Sequence, residues 1–209
     1  MKVLIFGSTG GTGRQLIEQA LEQGHTVTAF ARNPAKLDIK HTNLKVAQGD
    51  VMDFASVEKA VHGQDAVVCL LGAGHKRTGT IRSEGTRQII HAMEKAGIRR
   101  FICQSTLGVG ESWGNLNFFW KYIMFGFLLR QVFVDHEQQE NYVKQSNLDW
   151  TIVRPGALVK GIRTGQYRHG FPGTDKTSKL KIARADVADF ILKQLTDRSY
   201  WVKTASVSY

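Results

Sequence analysis

Short apolar runs alternate along this chain with longer stretches in which apolar residues recur every three or four positions. The run KVLIF predicts a buried strand at residues 2–6, and the spacing that follows predicts a helix over residues 12–23. The same analysis predicts strands at residues 25–32, 43–50, 65–72, 99–105, 149–156 and 199–205, and helices at residues 54–61, 80–96, 132–146 and 184–196. Apolar strands separated by helices predict an α/β fold, in which helices cover both faces of a doubly wound parallel sheet.

One domain is expected over residues 1–209, because the chain has no internal repeat, no low-complexity linker and only 3 prolines. The first run has four consecutive apolar residues before Gly7, whereas a secretory signal needs roughly 7–15. Cys69 and Cys103 both lie in apolar, strand-like runs, as buried reduced thiols do. We therefore expect a cytoplasmic protein.

The charge balance is basic, with 28 Lys and Arg against 18 Asp and Glu and a net charge of +10. This balance favours anionic partners, although a solvated basic face that aids solubility is the better explanation of the total charge alone. Seven of the basic residues lie between Lys160 and Arg184. The aromatic residues cluster elsewhere, at 113–133, so the interleaved pattern of a nucleic-acid surface is missing and no nucleic acid is expected.

A glycine-rich stretch directly after the first strand is the sharpest motif. It comprises Gly7, Ser8, Thr9, Gly10, Gly11, Thr12 and Gly13, and it opens the first helix. Such a turn lets the backbone approach a pyrophosphate, which then lies on the free amides of the helix N-terminus. In this strand–turn–helix context the motif predicts a dinucleotide-binding Rossmann fold.

The end of the second strand indicates which dinucleotide binds. A site for NAD places Asp or Glu there to accept hydrogen bonds from the ribose. This chain has Arg32 instead, and Lys36 follows one turn later. A guanidinium can hold a 2′-phosphate with paired donors, so we predict NADP(H) as the cofactor. No metal is expected.

The motifs together resemble one family. GSTGGTG, GDV at residues 49–51, CLLGAG, SEGTRQIIHAMEKAG and SNLDWTIVRPG are similar to those of atypical short-chain dehydrogenases/reductases. More narrowly, the chain resembles the NADPH-dependent flavin reductase/biliverdin-IXβ reductase group, with NmrA-like NADP-binding proteins as more distant relatives. The resemblance covers nearly the whole chain.

The resemblance implies further cofactor contacts. Asp50 and Val51 would border the adenine, and Leu71, Gly72 and Ala73 would border the ribose. The nicotinamide would lie between Ser105 and Thr106 on one side and Arg154, Pro155 and Gly156 on the other. The flavin/biliverdin group can carry His at the position of Gly156, so a substrate contact from that side chain is missing here.

The helix predicted over residues 132–146 lacks the usual proton donor. Ordinary short-chain reductases place Tyr-x-x-x-Lys there, where this chain has Val132 and His136. Reduction of a simple carbonyl needs that proton, but a conjugated acceptor spreads the incoming charge and takes its proton from water. Ser105 and His136 are the candidate catalytic residues. Ser105 is equally explained as a small packing residue, and His136 as a helix-face residue without a chemical role.

The expected function is therefore an NADPH-dependent reductase that transfers hydride to a conjugated acceptor, such as a flavin (FMN) or the linear tetrapyrrole biliverdin. Two alternatives stay open. One is a quinone reductase, and the other is a non-catalytic NADP-binding sensor or regulator of the NmrA-like type, which the missing Tyr–Lys pair permits.

Residues 113–133 are unusually aromatic, with Lys121 and Arg130 as the only charges before Val134. They allow three interpretations: an apolar flap over the substrate pocket within residues 107–131, a packing or dimer surface, or a helix that makes weak contact with a membrane surface. We expect the flap, and a monomer or weak dimer. The basic segment 157–183 would lie on the other side of the pocket. We expect a small C-terminal lobe on the substrate side of the domain.

Overall fold

The fold is built on one long sheet. In a computed structural model, which describes residues 1–72 and 79–209, ten strands and five α-helices are found. The strands β1–β10 are Lys2–Phe6, Thr26–Ala31, Leu44–Gln48, Ala66–Cys69, Arg100–Gln104, Asp149–Pro155, Ala157–Val159, Arg168–His169, Lys181–Ala183 and Lys203–Ser208. The helices α1–α5 are Gly11–Glu22, Phe54–Val61, Ile81–Ala96, Arg130–Gln145 and Arg184–Lys193.

The main sheet has eight strands in the order β3-β2-β1-β4-β5-β6-β10-β8. All neighbours run parallel except β8, which pairs antiparallel with β10. The strand order reverses between β1 and β4, so a crevice opens at the carboxyl ends of these two strands. The predicted doubly wound α/β fold is confirmed. A second, two-stranded parallel sheet joins β7 to β9.

Alternate residues of the strands enter two separate cores. Val3 and Ile5 face α1 and α5, whereas Leu4 and Phe6 face α2, α3 and α4. This follows from the two-residue period of a strand, and it explains why the central strands are apolar throughout.

A third, smaller core joins the segments 107–131 and 157–183. Leu107, Leu116, Phe125 and Phe171 form it, and Trp120 packs against them. Residues Phe119–Leu128 are a π-helix, closed by a hydrogen bond of 2.6 Å from the Leu129 N–H to the Met124 carbonyl. Helices of this kind are rare and are frequently found at functional sites.

The last strand differs from its prediction at residues 199–205. It occupies Lys203–Ser208, while Ser199–Val202 form a turn in which Val202 has φ +54°. The backbone N–H of Val202 is bound to the Trp150 carbonyl at 2.7 Å, which holds the turn beside β6. The strand therefore begins at Lys203 and not at residue 199, where the apolar pattern begins. Among residues 1–72 and 79–209, no helix is long and apolar enough to cross a membrane.

Candidate functional site

A cleft of about 330 Å³ opens where the strand order reverses. It is lined by the glycine-rich turn, by Leu70, Leu71 and Gly72 after β4, by Gln104, Ser105 and Thr106 after β5, by Pro155, Gly156, Ala157 and Leu158, and by the side chains of Arg82, His136 and Arg184. The topology therefore brings together residues as far apart in the chain as Gly7 and Arg184.

The glycines of the turn lie where a side chain would meet neighbouring atoms. Gly7 has φ +79°, and its carbonyl accepts a hydrogen bond of 3.0 Å from the Gly10 N–H. A Cβ at Gly13 would collide with the same carbonyl, and one at Gly11 would lie 2.7 Å from Cδ of Arg184. The turn presents bare backbone and the free N-terminus of α1 to the cleft. This cradle fits a diphosphate group.

The polar residues of the turn have separate tasks. Ser8 is buried and its Oγ donates to the Phe30 carbonyl at 2.7 Å, which ties the turn to β2. Thr12 is buried in the first turn of α1 and lines the cleft, while Thr9 is half-buried beside it. Thus the Ser8 side chain supports the turn and does not face a ligand.

Arg32 and Lys36 are exposed at the carboxyl end of β2 and in the short turn that follows. The Arg14 guanidinium binds both the Asp38 carboxylate and the Lys36 carbonyl, so α1 fastens this turn beside the cleft. Asp50 is exposed after β3 and accepts from the Met52 N–H at 3.0 Å. These positions flank the cleft and do not line it.

Val51 and Arg154 are buried, for different reasons. Val51 packs under α3, where a Cβ on Gly85 would lie 3.0 Å from its side chain. The Arg154 guanidinium binds Glu140 through Nε and Nη2, at 2.8 and 2.6 Å, and Glu111 through Nη1 at 2.6 Å. A buried guanidinium requires such partners. The Arg154 side chain is therefore directed to Glu140 and Glu111 and does not line the cleft.

Pro155 and Gly156, the neighbours of Arg154, do line the cleft. A Cβ at Gly156 would lie 2.6 Å from the Leu180 carbonyl carbon, so this position accepts glycine alone unless Leu180 moves. Ala73, the third residue expected at the ribose, lies outside the described residues.

Ser105 brings an unpaired hydroxyl to the cleft. Its side chain is buried at the end of β5, and its Oγ has no hydrogen-bond partner among residues 1–72 and 79–209. Its backbone N–H is bound to the Val153 carbonyl at 2.8 Å, so the residue is rigidly held. Buried hydroxyls normally have a partner, and a ligand in the cleft would supply one.

His136 lines the cleft as a neutral acceptor. Gln139 donates from Nε2 to Thr86 Oγ1 at 3.0 Å, and its Oε1 lies 3.1 Å from Nδ1 of His136. This arrangement makes Nδ1 the donor and leaves Nε2 as an acceptor. Burial, together with the charge of Arg82, lowers the pKa of His136 to about 4. The ring is therefore uncharged at neutral pH.

A narrow apolar subsite of about 40 Å³ adjoins the cleft. It shares Thr106, Pro155, Gly156 and Ala157 with the cleft, and its other walls are Leu107, Leu116, Trp120, Phe125 and Leu180. The two faces of the π-helix thus differ. Trp120 and Phe125 point to the subsite, whereas Phe118 and Phe119 are 70% and 52% exposed on the outside.

A family model described as NAD(P)H-binding matches residues 7–198. The chain belongs to this NAD(P)H-binding family. It is also 31% identical to the UPF0659 protein of Saccharomyces cerevisiae, over 97% of this chain and 90% of that protein. The photosystem II assembly factor Ycf39 of Synechocystis is 30% identical over 80% of this chain, which spans about half of that relative (48%).

Solved structures give the same relationship. An oxidoreductase from Lactococcus lactis has a TM-score of 0.84 and 28% identity, with coverage of 100% of this chain and 90% of that one. ChuY, an anaerobilin reductase from Escherichia coli, has a TM-score of 0.81 and 27% identity, with coverage of 100% and 97%. The resemblance to an atypical short-chain reductase group with bilin-reducing members is confirmed, as is NAD(P)H as the family's cofactor.

The sequence alone did not identify two arginines of the cleft, Arg82 and Arg184, as cofactor-binding residues. Arg184 is half-buried at the start of α5 and lies against Gly11, beside the expected diphosphate. Arg82 is held 3.4 Å from the buried Asp135 carboxylate, which also accepts from the Ser83 N–H at 2.9 Å. Arg184 is the last residue of the basic run that begins at Lys160. Arg82 belongs neither to this run nor to any of the motifs quoted above.

Proposed function

We propose that the protein is an NADPH-dependent reductase of planar conjugated acceptors, a flavin or a linear tetrapyrrole. The observation that carries the proposal has two parts. The cleft holds a neutral His136 acceptor and a Ser105 hydroxyl that has no partner among the described residues, and the adjoining subsite has an apolar wall of Trp120 and Phe125. Two of the structural relatives are described as an oxidoreductase and an anaerobilin reductase, which supports the reaction class.

Each wall of the cleft has a part in this proposal. The glycine-rich turn and Arg184 hold the diphosphate, and Arg32 with Lys36 selects the 2′-phosphate of NADP(H). NADPH, when bound, supplies the hydride. Ser105 Oγ and His136 Nε2 then orient the nicotinamide end, the first as a donor or acceptor and the second as an acceptor only. Orientation and exclusion of water are the protein's contribution.

His136 does not supply the proton in this proposal. Its Nδ1 hydrogen is bound to Gln139 and its pKa of about 4 leaves no charged form at neutral pH. Val132, one turn earlier on α4, carries no hydrogen-bonding group. Water therefore protonates the reduced acceptor, which suits conjugated acceptors and not simple ketones.

The test is NADPH oxidation followed by absorbance with FMN, biliverdin and a water-soluble quinone in turn. We expect rapid oxidation with the flavin or the bilin, and loss of turnover by about tenfold or more in Ser105→Ala, in line with the loss of one oriented polar contact. Thr204→Ala is the matched control, because it removes a hydroxyl outside the cleft.

Two outcomes point elsewhere. Reduction of the quinone alone would mean that the protein is a quinone reductase and not a flavin or bilin reductase. Tight NADPH binding without oxidation by any acceptor would favour an NADP-binding sensor, and the proposed reductase would be rejected.

A further inference from the structure

The outer face of the π-helix is an exposed apolar surface. Its members are Phe118, Phe119, Tyr122, Ile123, Phe127 and Leu128, which are between 42% and 79% exposed. We call these six residues the aromatic face. Phe118 and Tyr122 contact each other, with ring centroids 4.8 Å apart, but the face contributes nothing to the third core. Large contiguous apolar patches on a protein surface mark sites of interaction.

Two basic residues lie in or next to the π-helix that carries the aromatic face. Lys121 lies within the π-helix, with its Nζ 5.8 Å from the centroid of the Trp113 ring, and Arg130 begins the helix that follows. Residues 112–134 contain no Asp or Glu. The acids nearest to the face in the sequence, Glu111 and Asp135, are paired with Arg154 and Arg82. The charged residues of the segment 112–134 are therefore all basic.

We propose that the aromatic face binds the surface of an anionic lipid bilayer. Aromatic side chains with flanking Lys and Arg are the composition that lies at a bilayer interface. Each basic residue near an anionic surface strengthens binding by roughly fivefold. Phe127 and Phe118 project furthest, at 79% and 70% exposure, and would enter the boundary between headgroups and acyl chains.

A second copy of the chain suits the face less well. Symmetric pairing would place Lys121 and Arg130 of two chains, each of net charge +10, against one another without acids between them.

Flotation with lipid vesicles tests the proposal on the full chain. Vesicles of phosphatidylcholine mixed with phosphatidylglycerol should bind the protein, and vesicles of phosphatidylcholine alone should bind it at least tenfold more weakly. The double variant Phe118→Ser, Phe127→Ser should lose at least tenfold in binding to the anionic vesicles. Ile162→Ser is the matched control, because Ile162 is 81% exposed outside the face. Its binding should equal that of the wild type.

Two further measurements separate this role from a structural or oligomeric one. The double variant should keep its melting temperature and its NADPH affinity, and Lys121→Glu with Arg130→Glu should abolish the preference for anionic vesicles. Failure of the wild type to bind anionic vesicles, or equal binding by the double variant, overturns the proposal. A wild-type dimer that the double variant dissociates would assign the face to a second copy instead.

Discussion

The cleft and its adjoining subsite have two walls that are held in different ways. The glycine-rich wall consists of backbone, packed so closely that a Cβ at Gly13 would collide with the Gly7 carbonyl. The aromatic wall consists of side chains on a π-helix, whose own small core is separate from the two cores of the sheet. One wall tolerates almost no change of residue, and the other is supported by contacts that many apolar residues could make.

We expect the two walls to serve different parts of the proposed reaction, one the binding of the dinucleotide and the other the binding of the acceptor. Affinity for the dinucleotide depends on backbone geometry, which the sheet imposes at the carboxyl ends of β1 and β4. On the proposed function, we expect selection of the acceptor to depend on Trp120, Phe125 and their neighbours, which belong to a core separate from those of the sheet. The predictions below separate the two walls.

The largest effect is expected from Gly13→Val. Its side chain would force the turn open, and NADPH affinity should fall by more than about a hundredfold in a calorimetric titration, as loss of about 3 kcal/mol of phosphate contacts would cause. Gly24→Ala is the control: Gly24 has φ +78° with nothing near its Cβ, so this change should cost only about 1 kcal/mol of stability. Undiminished NADPH binding by Gly13→Val would show that the glycine-rich wall tolerates a change of residue, as the aromatic wall is expected to do.

Arg32→Ala should discriminate between the two dinucleotides. Loss of a charged contact to the 2′-phosphate costs about 2–3 kcal/mol, so NADPH affinity should fall tens- to hundreds-fold while NADH affinity changes little. Binding of both dinucleotides is measured by fluorescence titration. Arg198→Ala, at the opposite end of the sheet, should affect neither. Equal weakening of NADPH and NADH would contradict the role of Arg32.

The stability of the fold should depend on pH through His136. An unfolded His takes up a proton near pH 6.5, whereas burial and Arg82 lower the pKa of the folded His136 to about 4. Between these values the unfolded state binds more protons, so the free energy of unfolding falls as the pH drops from 6.5 to 4. Urea unfolding of His136→Asn should show a pH dependence smaller by roughly 2 kcal/mol over this window. An unchanged pH dependence would mean that His136 titrates normally.

Trp120→Ala should affect the acceptor alone. Removing part of an apolar wall costs about 1 kcal/mol, so the KM for a flavin or bilin should rise roughly fivefold while NADPH affinity stays within about twofold. Phe119→Ala, on the outer face of the same π-helix, should leave both unchanged in steady-state assays. A parallel loss of NADPH affinity in Trp120→Ala would show that the walls are not independent.

The smallest effect is expected from Val132→Tyr. If the acceptor is conjugated and water supplies the proton, a phenol at this position should bring no measurable reduction of simple ketones. The assay is NADPH oxidation with a set of small ketones. Rapid ketone reduction by the wild-type protein would contradict the interpretation of the missing Tyr–Lys pair.

The glycine-rich wall could be predicted from the sequence. Gly7, Gly10 and Gly13 lie together because they belong to one turn of the chain, and local spacing is visible in a sequence. Arg154 shows the opposite case. It lies next to Pro155 and Gly156, which line the cleft, but its side chain turns to Glu140 and Glu111 on other elements. Neither partner could be identified without the fold.

The sequence by itself determined the alternation of strands and helices, the parallel sheet and the glycine-rich turn, because periodicity and close backbone packing act over a few residues. Only the tertiary structure decided the rest. It placed Arg82 and Arg184 at the cleft, made His136 a neutral acceptor through Gln139, and divided the aromatic segment into an inner wall and an outer face. These properties depend on burial and on partners far apart in the chain, and both exist only once the sheet is assembled.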